Sequence, residues 1–213
     1  MVQKHPQSGF AHFTLSYVLR YVGLSQEAAQ ECDLAVRLDP GNYQFRSCAS
    51  VFFLTGRFDR ARQFARLDDG SEFSNNVEVM ILLREGKTTE ALDRLHHMPE
   101  SSFFHTRALE SCYESTRTPA AQTLLQKAGE EVAVFPDPEP RFAQAGTFNT
   151  CLGNAYTARL LQSTIDSGYC AYDYLRLDPL LSGFRKTQEY APLLAQAKQC
   201  QERFLSERDQ SPR

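Results

Sequence analysis

A chain of 213 residues with 42% hydrophobic and 23% charged side chains has enough apolar content for a folded core. Its 23 Lys and Arg against 26 Asp and Glu give a net charge of −3, which argues against a phosphate-backbone binder, and no run of like charge forms a tail. The first eight residues are polar and lack a signal-type apolar region, and no apolar run reaches the roughly 18–20 residues of a membrane span. The expectation is therefore a protein with no nucleic-acid or membrane partner.

In chain order, helical periodicity begins at Gly9. Two amphipathic runs, about 9–22 and 26–38, are separated by Gly23 and closed by Leu38-Asp39-Pro40. Glycine reaches a left-handed helix end at least cost, Ser25 can cap the second helix, and Pro40 cannot continue it. Small residues at Ser16 and Ala28 let the two helices approach closely. The spacing Gly-x4-Ala recurs at Gly23/Ala28, Gly56/Ala61, Gly86/Ala91 and Gly153/Ala158, the first three glycines lying 33 and 30 residues apart. Thr116/Ala121 takes the same place in a fourth unit.

The second unit carries Phe45, Cys48, Ala49 and Phe52 on its first helix and a short second helix, Phe58 to Leu67. The third spans about 72–98 and ends at Pro99. In the fourth, a helix over 102–115 precedes Thr118 as N-cap and Pro119 at the first helical position. Phe135 to Pro140 is proline-rich and reads as a connector. A fifth unit covers about 139–168. Beyond it, short helical pieces at 169–176 and from Asp178 lead to a long amphipathic helix from Thr187 to about Glu207, using Tyr190, Leu193, Leu194, Ala197, Phe204 and Leu205. The last residues, 209–213, are expected to fray.

His12, Leu15, Ser16, Leu19, Ala28, Cys32 and Pro40 fall at the signature positions of the tetratricopeptide repeat (TPR), which this chain resembles over roughly residues 6–168. The resemblance implies an all-α, right-handed solenoid of about five helix pairs (9–41, 42–71, 72–101, 102–138 and 139–168) with C-terminal capping helices at 169–208. Pro6 stands 34 residues before Pro40, so residues 1–8 read as the remnant of a preceding repeat, leaving the first repeat uncapped and available for self-association. The closing segment, with Tyr169-Cys170-Ala171-Tyr172, Asp178-Pro179-Leu180-Leu181, Phe184-Arg185 and Glu189-Tyr190, resembles the end of TPR arrays in bacterial multidomain kinases, cyclases and winged-helix regulators. Gln188 replaces a frequent proline there. None of the motifs of those output domains is present, and no catalytic constellation is found.

The family implies a non-catalytic scaffold that binds a peptide or protein on the concave face, lined by the first helix of each repeat. Here that face should comprise Phe10, Phe13, Tyr17, Arg20 and Tyr21 from the first repeat. Tyr43, Arg46 and Ser50 should follow from the second, Phe73, Asn76 and Met80 from the third, and Thr106, Glu110 and Tyr113 from the fourth. Phe10, Phe13, Tyr17 and Tyr21 lie along one helical face, where they are either rigid partner anchors or packing between repeats. The Lys/Asn/Arg carboxylate clamp of chaperone-binding TPRs is not matched. A regulatory module of a bacterial signalling protein is an alternative, and an enzyme with an unrecognised site a remote one.

No cofactor or metal is expected. Adjacent His96 and His97 diverge on a helix, while Glu130/Glu131 and Asp137/Glu139 read as a solvated helix end and an acidic loop. The six cysteines show no C-x-x-C pair and sit mostly at apolar helical positions, so unpaired thiols in a cytoplasmic protein are expected.

Overall fold

The computed structural model describes residues 2–101, 103–114 and 118–210. Among these residues all regular structure is helical. Eleven α-helical elements, twelve helices once a break at Gly153 is counted, are joined by four short 3-10 turns. They are α1 (Gly9–Tyr21), α2 (Ser25–Leu38), α3 (Ala49–Phe53), α4 (Phe58–Ala65), α5 (Glu72–Arg84) and α6 (Thr88–His97), followed by α7 (Thr106–Tyr113), α8 (Pro119–Ala133), α9 (Pro138–Asp166), α10 (Tyr172–Leu177) and α11 (Tyr190–Gln210).

The helices pack mainly on their chain neighbours, α1 on α2, α3 on α4, α5 on α6 and α8 on α9. Gly23, Gly56, Gly86 and Gly153 all take φ between 75° and 78°, a left-handed conformation that a Cβ would strain. Five residues after the first three of these, Ala28, Ala61 and Ala91 are fully buried, so the recurring spacing marks a tight turn followed by a small residue at a helix–helix contact. At Gly9 a Cβ would lie 2.8 Å from the Ala35 carbonyl oxygen, which shows how closely α1 lies against α2. Thr118 caps α8 as its sequence predicts, accepting from the Ala121 amide at 3.2 Å. One core of buried side chains runs through the helix pairs, from Leu19 to Ala197.

Several local expectations are corrected. Ser25 is the first residue of α2 rather than its cap, and its hydroxyl donates instead to Asp173 at 2.6 Å. The first helix of the second unit opens as a 3-10 turn, Tyr43–Cys48, before α3. Helix α7 starts only at Thr106, because the chain first turns through His105 in a left-handed conformation (φ 52°). Ser102 and the Thr116 side of the Thr116/Ala121 pair lie outside the described residues. The 135–140 connector is half as long as expected, since Asp137 caps α9 and Pro138 occupies its first position, where no amide donor is needed. At the other end α11 continues to Gln210, so the expected fraying is not seen at 209–210, and 211–213 lie outside the described residues.

The cysteine expectation fails outright. All six are paired, Cys32–Cys48, Cys112–Cys151 and Cys170–Cys200. Each bridge joins different helices or segments, which is why no short spacing betrays it. Such bridges persist in oxidising compartments, so the cytoplasmic placement is replaced by a non-cytoplasmic one. No described helix is long and apolar enough to cross a membrane.

The C-terminal segment also does more than cover the last helix pair: it returns to the first one. Gln201 donates to the carbonyls of Val22 and Gly23 at 3.1 and 2.9 Å, and the Cys170 amide donates to the Tyr21 carbonyl at 2.7 Å. Val22 packs on the Cys170–Cys200 bridge, and Arg208 pairs with Glu27.

Candidate functional site: an aromatic pocket between α1, α5 and α9

Where α1, α3, α5 and the first turns of α9 face one another lies a pocket of about 200 Å³. Its apolar walls come from Phe53, Val77, Met80 and Ala143 together with the rings of Tyr17, Phe73, Phe103 and Phe104. Phe103, 40% exposed, is the most open of these rings. A cavity of roughly 150 Å³ already admits a benzene ring, so this one has room for a single large side chain or a compact ligand.

The polar side of the pocket is set by one fully buried arginine. Arg20 reaches from the last turn of α1, donating Nη2 to Glu139 Oε2 at 2.9 Å and Nη1 to the Ser47 carbonyl at 2.6 Å, with its guanidinium over the Tyr17 ring at 4.3 Å. Tyr17 and Tyr21 stack at 5.0 Å, and the Tyr21 hydroxyl donates to Asp137 Oδ1 at 2.5 Å. The same oxygen accepts from the Glu139 amide, fixing the start of α9. Burial pushes the Glu139 carboxyl up to about 7, the Arg20 charge only partly opposing this while Asp137 adds to it. Burial likewise raises Tyr21, Tyr169 and Tyr174, which pack around this junction as neutral phenols. Glu139 Oε1, Asn76 Nδ2 and Gln144 Oε1, all on residues that line the pocket, have no hydrogen-bond partner within the protein.

Of the residues expected on the concave face, Tyr17, Arg20, Ser50, Phe73, Asn76 and Met80 come together around this pocket. Tyr21 stands behind it in the Asp137 junction. The others are placed elsewhere. Phe10 and Tyr43 are 55% and 54% exposed, and Phe13 packs on Phe45. Arg46 pairs with Asp68 at 3.1 Å and lies over the Phe73 ring. Thr106 is fully buried, Glu110 is held by Arg107 and His96, and the Tyr113 hydroxyl donates to the Thr147 carbonyl.

The contribution of α9 was missed. Glu139 is buried and ion-paired rather than part of a solvated acidic loop. Asp137-Pro138 carries the same cap-then-proline signal as Thr118-Pro119, and it would have placed Glu139 on α9 rather than in an acidic loop; Ala143 and Gln144 fall within the expected fifth unit but were not expected on the groove face. Among the described residues no three His, Cys, Asp or Glu side chains are grouped to hold a metal ion. No protein-family model, curated protein or solved structure matches the chain.

Proposed function

We propose that this protein is a non-catalytic binding module that holds a peptide or protein partner against the face formed by α1, α3 and α5, with one partner side chain seated in the pocket. The observation that carries this reading is the convergence of six expected groove residues, from three helices, on one aromatic-walled cavity. Anchors of this kind supply most of the energy of an interface through a few well-packed side chains. The sequential helix pairs and their Gly-x4-Ala turns support a TPR-type solenoid as the scaffold. In it the C-terminal helices, drawn back to the first pair, restrict the open groove to this region. The three disulfides favour an extracellular or periplasmic partner over the alternative of a module within a cytoplasmic kinase, cyclase or transcription regulator.

Selection of displayed random peptides against the oxidised protein tests the proposal. Recovered peptides should share one bulky position, and Ser50→Phe, which narrows the pocket, should abolish their binding while leaving the thermal midpoint within a few degrees. Binding that survives Ser50→Phe would place the partner surface elsewhere.

A further inference from the structure

Building on the pocket reading above, we infer that the group it accepts is a protonated nitrogen on an apolar stem, in a peptide partner a lysine or arginine side chain. The charged residues lining the cavity are Arg20, Asp137 and Glu139, two carboxylates against one guanidinium. Arg20 is already committed, one terminal nitrogen to Glu139 Oε2 and the other to the Ser47 carbonyl. Both hydrogen bonds accepted by Asp137 fall on Oδ1, and Glu139 Oε1 accepts none. Each acid therefore keeps one oxygen without a donor from the protein, on residues that line the polar end of the cavity, where Gln144 Oε1 also lacks a donor and Asn76 Nδ2 is a lone unpaired amide donor.

An incoming carboxylate or phosphate would face two acids and an engaged arginine. An incoming ammonium or guanidinium would supply the missing donors and lay its stem along Val77, Met80 and Ala143. The aromatic walls act in the same direction, because ring faces attract cations, more strongly once desolvated. Phe53 and Phe73 already carry such a contact within the fold, from Arg84 at 4.9 Å and Arg46 at 5.4 Å, which leaves Phe103, 40% exposed, as the most open ring for a ligand.

The test uses methyl-labelled methionine NMR on the full oxidised chain at fixed pH and salt. Met80 lines the pocket, whereas Met98 is buried outside it and serves as the reference. Three probes of similar shape are titrated: 2-phenylethylamine, 2-phenylethanol and 3-phenylpropanoate. The amine should shift Met80 but not Met98 and bind at least about tenfold more tightly than the other two. Asp137→Asn keeps a good helix cap and should reduce that preference to about threefold or less, as should Glu139→Gln in a second, independent variant. Equal or tighter binding of the alcohol or the propanoate at Met80 would overturn the cation assignment and leave the pocket reading standing. An amine preference unchanged in both variants would overturn it too. Failure of all three probes to move Met80 would overturn the pocket reading itself.

Discussion

Arg20 of α1 and Glu139 of α9 are 119 residues apart in sequence, yet their side chains meet at 2.9 Å with Arg20 fully buried. This ion pair joins α1 to α9 and forms one end of the candidate pocket. The energetics of the closure therefore bear on the site as well as on the fold.

Glu139 should leave a pH signature. Its carboxyl rises from an ordinary 4.5 to about 7 in the folded protein. Between these values the native state binds a proton that the unfolded chain has released, so its contribution to stability is full below about pH 4.5 and is lost as pH rises to about 7. The loss amounts to about 3 kcal/mol at most. Urea denaturation across pH 4 to 8 should show a decline in the wild type that is flatter in Glu139→Gln.

Three turns of the same conformation should respond unequally to alanine. At Gly56 and Gly86 a Cβ meets nothing within 4 Å, so substitution costs only the left-handed backbone, about 1 kcal/mol. At Gly23 the Cβ would come within 2.7 Å of the Tyr172 amide nitrogen and 3.2 Å of Gln201. There the cost should reach about 3 kcal/mol or more, since C-terminal backbone must also move. Thermal melts of Gly23→Ala and Gly56→Ala check the difference.

Arg84 and Asp178 form a second long-range pair, 2.8 Å apart with both side chains fully buried. Removing one partner strands the other charge away from water, so Arg84→Met should destabilise by about 3–5 kcal/mol. The double variant Arg84→Met, Asp178→Leu should lose less than the single one, although Asp178 also accepts from the Leu180 amide. Chemical denaturation of both proteins gives the comparison.

The Cys170–Cys200 bridge closes a 30-residue separation and holds α11 near the end of α1. Replacing both cysteines by alanine should cost about 3 kcal/mol. Hydrogen exchange should rise first in α10 and α11, with α3 to α6 unchanged.

The local helical order was legible because three turns use a glycine five residues before a buried alanine, and because caps such as Thr118 act within a few residues. The return of the chain to its start was not. Gln201 on the Val22 and Gly23 carbonyls, Asp173 on Ser25 and Arg20 on Glu139 are contacts of single side chains across more than 100 residues. No periodicity encodes them. The disulfides escaped for the same reason, since buried cysteines at apolar helical positions read alike whether paired or free. At the site, Tyr17, Arg20 and Phe73 were expected from the TPR resemblance and line the pocket, whereas Asp137 and Glu139 read as an acidic loop because three prolines mask the start of α9.

The most direct measurement of the central claim is the Met80 methyl resonance during titration with a peptide recovered by selection. A saturable shift is expected at Met80 with Met98 unchanged, lost in Ser50→Phe at an unaltered thermal midpoint. A peptide that binds tightly while leaving Met80 unmoved would contradict it.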